Sequence, residues 1–211
     1  MRLIWIGKDR ARLSPGWWRP MKAIRRTMLA TAVLSAFLLS ACQQKDSDIL
    51  SEIKRQEEAD AATLKAQGDK AMTESAAFLE KMRSEPGVQA TPSGLLYKAE
   101  ASGPAEMPTP KMGDDVLVHY EGTLPDGKVF DSSYKRGEPA QFQLGQVIEG
   151  WNEGLQHMRP GDTFMLYIPS DLAYGKRGSP PRIPPNQALV FKVELLAFRD
   201  AAGKVHQIAK Q

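Results

Sequence analysis

Cysteine is nearly absent from this sequence, since Cys42 is the only one among 211 residues. A disulfide framework is therefore excluded, and so is a zinc site built from several thiolates. The chain also has only three histidines, and none has a second ligand at a metal-binding spacing. We predict neither a metal nor a cofactor.

Motifs of covalent and phosphate chemistry are missing as well. There is no Gly-x-Ser-x-Gly turn for a serine nucleophile and no glycine-rich loop that opens a helix. The stretch HYEGTLPDGKVFDSS at 119–133 does contain a histidine, an aspartate and two serines. If its Pro-Asp-Gly turn forms a three-residue hairpin loop, Gly122 pairs with Phe130, and His119 faces away from Tyr120. Because a nucleophile needs its base within hydrogen-bonding reach, a hydrolase is not predicted.

Positive charge is concentrated at the start of the chain. Residues 1–41 contain eight of the 28 Lys and Arg residues but only one of the 25 acidic residues. The rest of the chain has 20 basic and 24 acidic residues, which gives a formal net charge of −4. Nucleic-acid binding needs a positive surface for the phosphate backbone. The overall charge of +3 therefore does not indicate a nucleic-acid partner.

The basic N-terminal part has the three-part layout of a secretory signal peptide, which we assign to residues 21–41. Its cationic residues lie at 22–26, an apolar run follows at 28–39, and small residues come next. The apolar run is much shorter than the ~20 residues of a membrane-spanning helix. Residues 1–20 precede a complete signal, and we interpret them as an upstream extension.

The end of this signal, Leu-Ser-Ala-Cys at 39–42, resembles a bacterial lipobox. The resemblance implies that Cys42 is lipidated and becomes the N-terminus. The Gln43 that follows implies the outer membrane rather than the inner one. We therefore expect a protein that is anchored to the outer membrane by a lipid and faces the periplasm.

Residues 46–85 are predicted to form a long helix within a segment that spans 42–90. They contain no proline and one glycine, and they are rich in Ala, Glu, Lys and Gln. Apolar residues recur at three- to four-residue steps, but the resulting stripe is thin and rich in alanine. Two interpretations remain open: a solvated stalk between membrane and domain, or an arm that forms a homodimer.

Short strands and one helix are predicted after residue 85, where thirteen of the fifteen prolines lie. Apolar and polar residues alternate at 116–121, 163–168 and 189–195, as in half-buried antiparallel strands. The segment 147–158 has an apolar stripe at helical spacing, and two glycines would let it approach another surface closely. The prediction is an α+β fold with this helix packed on one sheet face.

Three motifs in this order, VHYEGTLPDGKVFDSS, VIEGWNEGLQHMRPGD and YIPSDLAYGKRGSPPRIPPNQALVFKVELL, resemble the FKBP-type peptidyl-prolyl cis-trans isomerase domain. The likeness is specific over 113–198, and we place the domain at 91–199, with a C-terminal tail at 200–211. The upstream helix resembles the macrophage infectivity potentiator branch of bacterial lipoproteins. The resemblance implies a curved antiparallel sheet wrapped around one short helix, with an apolar pocket between them.

The resemblance also assigns roles to residues that match the family motifs. It implies catalytic roles for Asp131, Tyr174 and Tyr120. It implies substrate-binding roles for Phe130, Val147, Ile148, Trp151, Ile183 and Phe191. In the hairpin register above, Asp131 and Phe130 lie on opposite faces, so both can enter one pocket only if the strand contains a bulge or a twist.

Three positions depart from the family pattern: Ala140 replaces a common aromatic residue, Ser179 a histidine and Arg182 an aliphatic residue. These changes open one pocket wall and add a charge at the rim. They leave open how tightly a macrolide inhibitor would bind.

The resemblance implies an enzyme that accelerates the rotation of Xaa-Pro bonds in polypeptides folding at the cell envelope. Twisting the amide removes its resonance, so the transition state is less polar than the planar ground state. An apolar pocket favours that twisted form. The alternative is a non-catalytic periplasmic chaperone or peptide-binding module.

Overall fold

A computed structural model describes the backbone of residues 31–208 and the side chains of residues 48–208. The predicted upstream extension, 1–20, and the first half of the predicted signal peptide lie outside the described residues. Cys42 falls within a helix, but its side chain also lies outside them. In the part of the chain that is described, no helix is both long enough and apolar enough to cross a membrane.

Three helices and eight strands make up the described chain. The helices are α1 (Thr31–Arg83), α2 (Ser133–Arg136) and α3 (Glu149–Leu155). The strands are β1 (Gln89–Ala90), β2 (Leu96–Ala101), β3 (Asp115–Thr123), β4 (Val129–Ser132), β5 (Ala140–Gln143), β6 (Thr163–Ile168), β7 (Leu189–Arg199) and β8 (Val205–Gln207). Two short 3-10 turns, Ser170–Leu172 and Gly175–Arg177, lie in the long connection between β6 and β7.

The chain divides into two compact units, 1–53 and 54–211. The described part of the first unit is the N-terminal portion of α1. The second unit contains the rest of α1 and all the strands. As predicted from its composition, 46–83 is helical, and its large apolar residues Ile49, Leu50, Ile53 and Leu64 are exposed.

All eight strands form one antiparallel sheet. Its main order is β1-β2-β6-β7-β3-β4, with β5 paired to β3 and β8 paired to β7. The central pair is β3 and β7, which run together from Asp115–Arg199 to Thr123–Val190 with one irregularity. Strand β8 lies in the segment that the sequence analysis assigned to a C-terminal tail, and it pairs Phe198 with His206.

The predicted alternation is present in the strands. In β3 the residues Val116, Val118 and Tyr120 are buried, and their neighbours are partly exposed. Strand β6 shows the same pattern over six residues, with Phe164, the first of its inward residues, buried. These inward side chains form a core with the long inner strand β7 and with α3. The predicted α+β class and the curved sheet around a short helix are thus confirmed.

Helix α3 is shorter than predicted, because it covers Glu149–Leu155 rather than 147–158. Its N-cap, Ile148, has extended backbone geometry, so Val147 and Ile148 belong to the loop before the helix. The glycines have the predicted effect. A Cβ at Gly150 would lie 2.4 Å from Ile168 Cγ2, so only glycine lets this helix lie so close to β6.

The C-terminal part of α1 packs on the same unit as the sheet. The buried Ser75 Oγ accepts hydrogen bonds from the backbone N–H of Ala188 at 2.8 Å and from Gln187 Nε2 at 3.2 Å. Gly68 lies against Pro185, and its carbonyl accepts a hydrogen bond from Asn186 Nδ2. These contacts hold the segment that leads from the Pro-rich connection into β7.

Candidate active site

A cavity of about 440 Å³ opens between α3 and the concave face of the sheet. Its lining is aromatic and aliphatic, with one carboxylate and one amide. The lining residues are Tyr120, Phe130, Asp131, Phe142, Gln146, Val147, Ile148, Trp151, Tyr174 and Phe191. The structure therefore brings together eight of the nine residues to which the resemblance gave a catalytic or substrate-binding role.

The floor of the cavity is Trp151 on α3, which is 4% exposed. Three aromatic rings meet the indole edge-on, with centroid distances of 5.1 Å for Tyr120, 5.3 Å for Phe142 and 5.2 Å for Phe191. Edge-to-face contacts of this kind stabilise aromatic clusters beyond the effect of burial alone. The floor consequently consists of closely packed aromatic rings, and it suits a small apolar ring such as that of proline.

The hairpin between β3 and β4 contains a bulge at Phe130, so the predicted pairing of Gly122 with Phe130 is wrong. Thr123 pairs with Val129, but Gly122 pairs with Asp131, and Phe130 is left as the extra residue. A bulge turns two consecutive side chains toward the same side of a strand. For this reason both Phe130 and Asp131 line the cavity.

Glycine is required opposite this bulge. A Cβ at Gly122 would lie 2.7 Å from Phe130 Cζ and 2.7 Å from Phe191 Cε1. Real Cβ atoms do not approach other heavy atoms so closely. The two phenylalanine rings, 5.5 Å apart at 87°, fill the space that the absent side chain leaves.

Asp131 is held by three donors at the cavity edge. Tyr120 Oη donates to its Oδ2 at 2.5 Å, Arg136 Nη1 to its Oδ1 at 2.5 Å, and the backbone N–H of Ser132 to Oδ1 at 2.9 Å. Arg136 Nη2 also donates to Tyr120 Oη at 3.0 Å. Asp131, Tyr120 and Arg136 thus form a closed triangle, which fixes the tyrosine hydroxyl and the carboxylate relative to each other.

The electrostatics of this triangle keep Asp131 ionised. Burial favours its neutral form, but hydrogen bonds from Tyr120 and Arg136 outweigh that effect and lower the pKa of the carboxyl group. Burial, and then the hydrogen bond to Asp131, raise the pKa of Tyr120, which stays protonated. A charged aspartate beside a neutral tyrosine is suited to orienting dipoles rather than to transferring protons.

The long connection between β6 and β7, which we call the flap (169–188), supplies the remaining predicted residues. Tyr174 is 42% exposed at the cavity, and within the described chain its hydroxyl has no hydrogen-bond partner. Ile183 does not line the cavity as the resemblance implied. Its side chain is 4% exposed and belongs to the core, where the Ser179–Ile183 bridge holds the flap.

His119 lies close to a serine, but the pair is not a nucleophilic site. His119 Nδ1 is 3.0 Å from Ser133 Oγ. The same hydroxyl accepts from the N–H of Tyr120 and donates to its carbonyl, and Ser133 is fully buried. The role of Ser133 is to join α2 to β3. Among the described residues there is also no cluster of acidic residues, His and Cys that could hold a metal.

Sequence reasoning missed three residues of the site. Phe142 lies on β5, whose short alternating segment Ala-Gln-Phe-Gln carries a period-two signal that could have revealed it. Arg136 and Gln146 had no such signal. The partnership of Arg136 with Asp131 depends on the turn made by α2, which is capped by Ser132.

An antiparallel sheet wrapped on one short helix, with an aromatic cavity between them, defines the FKBP fold. The family model for the FKBP-type peptidyl-prolyl cis-trans isomerase matches residues 107–196. The model for the domain amino-terminal to FKBP-type isomerases matches residues 19–99. The chain belongs to the FKBP-type peptidyl-prolyl isomerase family.

Individual relatives agree with this assignment. The crystal structure of FkpA from Escherichia coli has a TM-score of 0.71 and 38% identity, covering 82% of this chain and 84% of that one. The peptidyl-prolyl cis-trans isomerase Mip of Coxiella burnetii is 49% identical over 59% of this chain and 54% of its own length. The outer membrane protein MIP of Legionella longbeachae is 46% identical over 65% of this chain and 55% of its own length. The chain thus spans a little more than half the length of the curated relatives it matches.

Proposed function

We propose that this chain is a peptidyl-prolyl cis-trans isomerase that accelerates the rotation of Xaa-Pro bonds in folding polypeptides. Its family membership supports the reaction class. The observation that carries the proposal is the aromatic cavity, in which Trp151 is surrounded edge-on by three rings. No covalent step is needed, because the reaction is a rotation about one bond.

Rotation of an Xaa-Pro bond is slow because amide resonance gives a barrier of about 18–20 kcal/mol. The twisted transition state has lost this resonance and is less polar than the planar amide. A pocket that replaces water with apolar walls therefore stabilises the twisted form relative to the ground state. The prolyl ring would rest on Trp151, between Phe130 and Phe191.

Two polar groups would orient the substrate. The exposed hydroxyl of Tyr174 can donate a hydrogen bond to a substrate carbonyl. Asp131 holds the Tyr120 hydroxyl in place and sets a fixed negative field beside the reacting amide. Because the positive charge of Arg136 is paired with the Asp131 carboxylate, this field is local to the cavity edge.

The direct test is the cis-to-trans rate of a Leu-Pro peptide with a soluble form of the protein that begins at Gln43. We expect Tyr174→Phe to lower kcat/KM by about 3- to 10-fold, the effect of one hydrogen bond. Asp131→Leu should lower it further, since it leaves three donors without their acceptor. Tyr134→Phe is the matched control: it removes a hydroxyl that binds Glu194 outside the cavity and should not change the rate.

A folded protein that gives no acceleration would contradict the catalytic proposal. The second candidate, a chaperone or peptide-binding module, is favoured by one observation: the exposed apolar side chains Ile49, Leu50, Ile53 and Leu64 all lie on α1. It predicts that the protein protects unfolded clients even when Tyr174→Phe and Asp131→Leu are combined.

We also propose that a lipid on Cys42 anchors the protein to the envelope, with the domain facing the periplasm. Support comes from the signal layout and from the relative of L. longbeachae, whose name places that protein in the outer membrane.

The exposed apolar residues of α1 are consistent with a homodimer through this arm. Sedimentation of the soluble form distinguishes a dimer from a solvated stalk. Macrolide binding at the cavity remains a proposal that a competition assay on the isomerisation rate tests.

A further inference from the structure

A second cavity, of about 460 Å³, lies directly beside the aromatic one. The two share a wall, because Phe130 and Asp131 line both. The second cavity differs in its chemistry, since four of its lining residues are cationic. We call it the basic groove and define it by Lys128, Lys135, Arg136 and Arg182.

Three separate segments bring these cations together. Lys128 follows the hairpin turn before β4, Lys135 and Arg136 form the last turn of α2, and Arg182 lies in the flap. Arg182 Nη1 is 3.4 Å from the carbonyl oxygen of Phe130, so the arginine reaches across from the flap to the shared wall. The groove is therefore a product of the tertiary fold and not of a basic run in the sequence.

Positive charge in the groove is not balanced. Its one carboxylate, Asp131, is already paired with Arg136. Within the described chain, Lys128, Lys135 and Arg182 have no ion pair, and all three are exposed. From residue 42 onward the chain has more acidic than basic residues, so three cations that form no ion pair among the described residues stand out from the charge of the rest.

We propose that the basic groove binds an acidic side chain, aspartate or glutamate, of the same polypeptide whose proline occupies the aromatic cavity. The inference rests on the proposed isomerase function. An extended chain advances about 3.3–3.6 Å per residue. Because the two cavities share a wall, we expect a residue one to three positions from the proline to reach the groove.

The physical basis is charge complementarity at a partly exposed site. Arginine and lysine are suited to carboxylates, and exposed ion pairs of this type are individually weak. Three cationic side chains acting on one carboxylate would raise both the association rate and the fraction of peptide that is bound. Salt would screen this attraction. The groove would thus select among prolines by their acidic neighbours.

The test compares matched peptides that carry Glu or Gln at one, two or three positions from a Leu-Pro bond, on either side. The full chain in neutral detergent is used, and isomerisation is followed by NMR exchange at low and at high salt. We expect kcat/KM for the best Glu peptide to exceed that of its Gln partner by about 3- to 10-fold at low salt, and the ratio to approach one at high salt.

Two variants of equal net charge locate the effect. Lys128→Gln/Lys135→Gln/Arg182→Gln should bring the Glu-to-Gln ratio to about one. Lys81→Gln/Lys111→Gln/Lys204→Gln removes three exposed cations that do not line the groove and should keep the wild-type ratio. The inference is overturned if the wild-type ratio is one for every pair, or if the groove variant keeps the preference.

Failure of the proposed function is recognised separately, from the Gln peptides. If these are not accelerated, the Gln-to-Glu ratio of dissociation constants from NMR titration replaces the Glu-to-Gln rate ratio, with the same expected values. An anionic lipid surface is the competing occupant. If phosphatidylglycerol vesicles bind the soluble wild type that begins at Gln43 but not the groove variant in the same form, and the peptide ratio is one, the groove faces lipid and the inference is wrong.

Discussion

At the scale of single residues, the site depends on where Phe130 and Asp131 point. Adjacent residues in a regular strand face opposite ways, and the bulge at Phe130 removes this restriction. The ring of Phe130 and the carboxylate of Asp131 can then line the same cavity. The triangle of Asp131, Tyr120 and Arg136 holds this local geometry in place.

The lowered pKa of Asp131 leads to a prediction about pH. A group whose folded pKa lies below its unfolded pKa stabilises the fold above the unfolded value and loses this effect as pH falls through the folded value. We therefore expect the isomerisation rate, and the contribution of this triangle to folding stability, to be constant from neutral pH down to the usual pKa range of aspartate. Both should fall only in more acidic solution.

The measurement is the peptide isomerisation rate and the urea midpoint between pH 7 and pH 3, with Asp131→Asn as the control. The variant has no carboxyl group to protonate, so its rate should be lower at neutral pH and less dependent on acid. A wild-type rate that changes by several-fold between pH 7 and pH 5 would show that another group governs the site.

At the scale of elements, the C-terminal part of α1 belongs physically to the sheet unit. Ser75 binds the backbone at Ala188, and the ring of Phe78 meets that of Tyr167 at 6.0 Å. The N-terminal part has exposed apolar residues instead. The two parts of this helix therefore differ in their surroundings, and Gly68 lies in close contact with Pro185 of the flap.

Two shortened forms test this division. A form that begins at Ala66 should melt at the same temperature as one that begins at Gln43. A form that begins at Pro86 lacks the contacts of Ser75 and Phe78, and its Tm should be lower by about 3–5 °C, the effect of roughly 1 kcal/mol in a domain of this size.

Thermal melting followed by circular dichroism gives both values. Ser75→Ala in the longer form should reproduce part of the loss. Ser84→Ala is its matched control, because that hydroxyl binds only a carbonyl of its own exposed helix turn. Equal Tm values for the forms that begin at Ala66 and Pro86 would refute the role given to this segment.

At the scale of the whole molecule, the proposed anchor, arm and isomerase unit follow one another along the chain. We expect the full chain, expressed in a Gram-negative bacterium, to incorporate a labelled fatty acid and to fractionate with membranes. Cys42→Ser should abolish both, because no other thiol is present. Label that persists in this variant would disprove lipidation at Cys42. Ser40→Ala, which leaves the thiol in place, is the control.

The local pattern of the sequence was sufficient to predict much of this protein. Alternating residues in β3, β6 and β7 indicated strands with one buried face, because side-chain direction in a strand depends only on position. The proline-free segment indicated a long helix, and the order of three motifs indicated the family. These signals act between residues close in the chain, so they can be read without the fold.

Tertiary structure alone decided how the site is assembled. The bulge that turns Asp131 inward, the burial of Ile183 in the core and the pairing of Arg136 with Asp131 each depend on contacts between segments with no mutual sequence signal. The same is true of the basic groove, whose cations come from a turn, a short helix and the flap. Packing constrains such groups through their neighbours in space, so their common position appears only when the chain has folded.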